Sequence, residues 1–199
     1  MPEDEKPKRG RPKTLDADNT LDVAIRAYWR ADPADVSLNA ICTLAGVSKP
    51  ALYRQFGNED GFMRAALDRY AEQVLSDIFV ILQRAAPLSE TLDALIRFAS
   101  EDPKMETGCL FYKMRAGKHR LGPKTLEGVE QIDAAAVQAF AGYLGTRREI
   151  GDWTSDLPIA TAARYLVEQL GLALTQRAAG EDPTEIRASL SLALSVIQR

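Results

Sequence analysis

Within eight residues the chain places Ser48, Lys49, Tyr53, Arg54 and Gln55, a set of two hydroxyls, two cations and one amide. Such groups donate hydrogen bonds to phosphate oxygens and read the edges of bases, and they make and break no covalent bonds by themselves. The surrounding 22 residues, Val36 to Gly57, hold two basic side chains and no acid, so a polyanion meets no repulsion there. Bond-making chemistry finds less support. The sequence contains no Gly-rich phosphate loop, no HExxH and no nucleophile elbow, and its single histidine, His119, offers little for general-base work. An all-helical enzyme is therefore set aside. Cys42 and Cys109 with that one histidine make a poor metal set, and neither a structural zinc nor a cofactor is predicted.

A helix-turn-helix is what must position the polar set. Ser37 is a good N-cap for a first short helix on which Leu38, Ile41 and Leu44 are read as one buried face. Gly46 then tolerates the positive φ that swings the chain by about 90 to 120° into the second helix. Ser48 caps that second helix, Pro50 lies in its first turn where a missing N–H is harmless, and Leu52 and Phe56 return to the core. Lys49, Ala51, Tyr53, Arg54 and Gln55 are left on the outer face. Upstream, Leu21, Ala24, Ile25 and Tyr28 give the stripe of a supporting helix from about residue 17 to 31.

The string ICTLAGVSKPALYRQF, followed by the polar turn GNED and a long apolar helix, resembles the DNA-binding domain of TetR-family transcriptional regulators. The resemblance covers residues 15 to 66 by motif and the remainder by length and helical character. It implies an all-α protein with an N-terminal three-helix, homeodomain-like DNA-binding domain and a C-terminal helical bundle for ligand binding and dimerisation. The corresponding boundaries are 1–14 for a disordered basic arm, 15–60 for the helix-turn-helix domain and 61–199 for the second domain. It further implies that Ser37, Ser48 and Tyr53 hold phosphates, and that Asn39, Lys49, Pro50, Ala51 and Gln55 meet base edges or a thymine methyl. Arg54 is left between base and backbone. One departure stands out: where the family commonly carries a phosphate-contacting lysine after the cap of the fourth helix, this chain has Glu59. Cys42, where the family usually has alanine, reads as core filler.

Composition bounds the remainder. With 46% hydrophobic residues the chain is globular, and a net charge of -3 restricts nucleic-acid contact to local patches. One patch is the helix-turn-helix. The other is Lys8-Arg9-Gly10-Arg11-Pro12-Lys13 in the arm, where Arg9 and Arg11 either enter an A·T minor groove or add sequence-blind, salt-dependent affinity. No apolar run approaches the roughly 18 residues of a membrane helix and the N-terminus is too polar for a signal peptide, so a cytoplasmic protein with no membrane partner is expected.

Past Asn58, which can cap a fourth helix, the stripe Phe62, Ala66, Tyr70, Val74, Ile78 and Leu82 carries one long helix to about Ala86. Breakers divide the C-terminal part of the chain into helices over 89–100, 108–116, 123–144 ending at Gly145, 159–179 and 183–198, with Trp153 in a loop. Leu166, Leu170, Ala173 and Leu174 on one helix, with Ile186, Leu190, Leu194 and Ile197 on the last, widened by Leu192 and Val196, leave a pairing of two chains and an internal hairpin open. The family's dimers use their last two long helices, and the resemblance favours a homodimer on Leu166, Leu170, Leu174, Ile186, Leu190, Leu194 and Ile197. It also implies a palindromic double-stranded operator and release from it by a small ligand, with a helical ligand-binding protein lacking operator binding as the alternative. Tyr70, Phe79, Phe111, Tyr112, Tyr143 and Trp153, with Cys109, are the candidate lining of an apolar or aromatic ligand pocket. A helix N-terminus lowers a thiol pKa, which makes Cys109 a conceivable sensor, although a buried small hydrophobe is the preferred reading. His119, in a basic run, reads as a surface residue.

Overall fold

The computed structural model describes residues 15–198 as helices joined by short turns, with no strand among them. Arg9, Arg11 and the basic arm lie outside the described residues. Helix α1 (Ala17–Arg30) buries Leu21, Ala24, Ile25 and Tyr28 against α2 (Leu38–Ala45) and the start of α4 (Glu59–Leu82). Helix α3 (Lys49–Phe56) inserts fully buried Leu52 into the same core and packs on α4. Ser37, Ser48 and Asn58 each cap the next helix, so α2, α3 and α4 start where their capping residues dictate.

The rest of the chain folds as α5 (Leu88–Glu101), α6 (Leu110–Ala116), α7 (Pro123–Glu149), α8 (Ile159–Ala179) and α9 (Pro183–Leu194), which runs into a 3₁₀ turn. Helix α7 lies between α4 and α8, and α9 closes over α5 and α8. Two side chains of α4 lock the α4/α7 contact. Arg64 lies over Gly128, where an added Cβ would fall 2.6 Å from its Cδ, and donates to the Lys124 carbonyl (3.1 Å) and Gln131 Oε1 (2.7 Å). Asp60 reaches the start of α7, which has no capping side chain of its own, and accepts from Lys124 N (2.8 Å), Thr125 N (3.0 Å) and Thr125 Oγ1 (2.7 Å).

Several expectations need correction. Leu44 is 68% exposed rather than buried, because six residues at about 100° each turn it some 120° away from Leu38. Helix α4 stops at Leu82, since the chain must reverse before Pro87. Helix α7 does not end at Gly145. It continues to Glu149, and Gly151 (φ +75°) makes the turn, which lets Arg148 donate to the carbonyls of Ser155 and Leu157, each at 2.7 Å.

The helices read as a pairing surface are also placed differently. Leu166, Leu170, Leu174, Ile186, Leu190, Leu194 and Ile197 are all buried within the single chain, where α8 and α9 meet each other and α5 and α7. On the same two helices the large apolar side chains left outside are Leu172, Leu192 and, in the final turn, Val196.

Candidate nucleic-acid interface and ligand cavity

The helix-turn-helix is built by local signals. Ser37 Oγ accepts from Ala40 N (3.2 Å), Gly46 ends α2 in the left-handed region (φ +66°), and Ser48 Oγ accepts from Ala51 N (3.4 Å). In both caps the oxygen is used as an acceptor and the hydroxyl proton remains free for a phosphate. Asn39, Pro50, Arg54 and Gln55 are exposed, while Lys49, Ala51 and Tyr53 are half-buried. Tyr53 packs its ring on the core and carries the Lys49 ammonium 5.3 Å from the ring centroid. The Tyr53 hydroxyl beside the ammonium holds the Lys49 pKa above its usual value. The candidate contact residues on α2 and α3 are thus all exposed or half-buried. Glu59 stands exposed at its edge, in the first turn of α4.

Below this unit a cavity of about 50 Å³ lies among α4, α5, α6, α7 and α8. Tyr70, Phe79, Cys109, Phe111 and Tyr112 line it, with aliphatic residues such as Val74, Ile78, Ile132 and Leu170. Its polar atoms are already engaged: Tyr70 donates to Cys109 Sγ (3.2 Å) and accepts from Leu110 N (3.1 Å), and Tyr112 donates to the Val167 carbonyl (2.8 Å). Tyr143 and Trp153 do not reach the cavity. Tyr143 is buried beneath the Arg147 guanidinium, 4.9 Å from its ring, and Trp153 pins the loop after α7 to the chain's end by donating to the Ile197 carbonyl (2.7 Å).

Cys109 is the N-cap of α6, yet its thiol pKa is raised rather than lowered. Burial outweighs the Tyr70 hydrogen bond and the helix terminus, and the thiol stays protonated and inert at neutral pH. In a disulfide-exchange assay on the folded protein, Cys109 is expected to react only after urea unfolding; a fast phase that disappears in Cys109→Ala would contradict this.

The residue that sequence reading passed over is Trp29. From α1 its Nε1 donates to the Gly108 carbonyl (2.7 Å), its ring meets Tyr70 edge-on at 5.1 Å, and its own carbonyl accepts from Lys113 Nζ. Trp29 therefore fastens the helix-turn-helix unit to the wall of the cavity. No local pattern signals this, since the partners lie 79 and 84 positions away.

Comparison with known proteins finds a family match for the N-terminal part of the chain. Residues 21–66 match the family model described as bacterial regulatory proteins, tetR family. The HTH-type transcriptional repressor ComR of Escherichia coli (strain K12) is 40% identical over 68 residues, 34% of this chain and 32% of that protein, so the match spans about a third of the relative's length. Among solved structures, the reduced form of NemR from Escherichia coli superposes with a TM-score of 0.81 at 16% identity, covering 91% of this chain and 96% of NemR. A cysteine mutant of CifR, complexed with 26-bp double-strand operator DNA, superposes with a TM-score of 0.75 at 20% identity, covering 94% and 100%. At these identities the superpositions establish a shared fold.

Proposed function

We propose that this chain, whose residues 21–66 match the tetR family of bacterial regulatory proteins, is a sequence-specific DNA-binding repressor that acts as a homodimer and is released from a palindromic operator by a small apolar or aromatic ligand. The observation that carries the reading is the capped helix α3, whose outer strip offers Ser48, Lys49, Tyr53, Arg54 and Gln55 in a stretch without acids. Arg9 and Arg11 in the arm add affinity for the flanking duplex. The protein works in the cytoplasm, and no helix among the described residues is long and apolar enough to cross a membrane.

Two copies are required because one recognition helix covers too few base pairs for a specific site, and a two-fold dimer doubles it at a fixed spacing. Leu172, Leu192 and Val196 are the apolar side chains that a second copy covers. Release follows from the Trp29 link. A ligand that widens the cavity displaces Tyr70 and the start of α6, and with them the anchors of α1, so the separation of the two recognition helices changes. The small size of the closed cavity supports this, since an occupant has to push its walls apart.

The test is a fluorescence-anisotropy titration on a duplex selected from random-sequence DNA, against a scrambled duplex and across salt. Saturation at two chains per palindrome is expected. Lys49→Ala should cost about tenfold on the selected duplex and blur the preference, whereas Tyr53→Phe should weaken both duplexes alike. Equal, salt-sensitive affinity for every duplex would instead favour a ligand-binding protein without operator recognition, the reading towards which Glu59 points.

A further inference from the structure

A second, larger hollow of about 600 Å³ opens between the DNA-binding unit and the helical bundle, bounded by the end of α1 and the turn after it on one side and by α6 and α8 on the other. Its size falls in the range of small-molecule sites. Its rim carries Arg30, Lys113, His119 and Arg120 against one acid, Asp32. That acid is already taken up, because Arg120 donates to Asp32 (3.1 Å) and also holds Asp35. Lys113 is differently placed. It is half-buried and its ammonium donates to a neutral acceptor, the Trp29 carbonyl. Burial drives its pKa down, and the nearby Asp32 carboxylate offsets this only in part.

The floor of the hollow has the opposite character. Cys109, Tyr112 and Leu174 form it, and the same three side chains wall the inner apolar cavity from the other side. A molecule seated here meets cations at one end and an aromatic and aliphatic surface at the other. We propose that this cleft binds a small amphipathic anion, its charged head set against Lys113 and Arg30 and its apolar body on Tyr112 and Leu174. The site is distinct from the inner cavity and depends neither on operator binding nor on dimerisation. Because its walls come from both units, an occupant bridges them, and it adds counter-charge beside Lys113 to that of Asp32.

Isothermal titration of the protein at pH 7 with octanoate, octanol and octyltrimethylammonium tests this without DNA. The three share one tail and differ in head-group charge. Octanoate should bind saturably, about tenfold tighter than octanol, with the cation weakest. Arg30→Gln, at an exposed position, and Lys113→Met should each remove most of that preference and leave the octanol affinity in place. Equal affinities for octanoate and octanol in the parent protein would overturn the proposal, as would a preference that survives both substitutions.

Discussion

Gly108→Ala lowers the thermal midpoint by about 6–12 °C, the shift that about 3 kcal/mol produces in a chain of this size. Two causes add. Gly108 sits at φ +76°, where any side chain costs about 1 kcal/mol or more, and an added Cβ would lie 2.6 Å from the Leu174 carbonyl and 2.6 Å from Ala178 Cβ. Neither neighbour yields easily, because both belong to α8. The same residue's carbonyl receives Trp29 Nε1, so any retreat of the backbone loosens the tie to α1. Gly46→Ala is the matched control: its φ of +66° carries similar strain, but nothing lies within 4 Å of the added carbon. That variant should lose only about 2–4 °C. Calorimetry on both separates the effects, and equal shifts would show that backbone strain alone governs Gly108.

This contrast also marks where the sequence was legible. Gly46 announces itself, standing between a helix capped by Ser37 and one capped by Ser48, and the turn it makes is the turn expected there. Gly108 is equally decisive yet has no local signature, because the atoms that exclude a side chain belong to a helix about 70 positions later. The same division runs through the site. The stripe of α1 and the outer strip of α3 follow from periodicity and caps, whereas Trp29 acts through partners no window contains. Five of the seven pocket candidates, among them Tyr70 and Phe79, meet at one cavity, while Tyr143 and Trp153 are core and loop pins of the same residue type. Helix α8 and the start of α9 were readable to the residue, but which partner their apolar faces take is a tertiary fact. Leu166 and Leu190 look alike in sequence whether a second helix comes from the same chain or another. Leu172 and Leu192, exposed, are distinguished only once the first partner is in place.

Asp60→Ala is expected to cost about 2–3 kcal/mol at neutral pH, a fall of about 4–12 °C in the thermal midpoint, and to lose most of that cost in acid. The carboxylate accepts from two main-chain N–H groups and one hydroxyl at the start of α7, donors that Gly122 at the N-cap position cannot serve. Helix α7, like α5, α6 and α8, has no capping side chain of its own, and at α7 the acceptor comes from α4. Gly122 in turn makes room, since a Cβ there would fall 2.4 Å from Asp60 Cγ. Burial opposes ionisation of Asp60, but the bonds from Thr125 and from the Lys124 and Thr125 N–H groups outweigh it and hold the carboxyl below the usual range. The sign comes from that depression. The charged form is favoured by folding, so its contribution is complete above the unfolded value of about 4 and disappears as pH falls through the lower folded value. Parent and variant should therefore differ most near pH 7 and converge in strong acid, and a difference that stays constant with pH would remove the charged cap from the account. Asp60→Asn keeps the shape and one acceptor and should fall between them. Since Asp60 lies in the first turn of α4, four residues after the recognition helix ends, its bond to α7 is a second route by which the bundle fixes the angle at which that helix is presented.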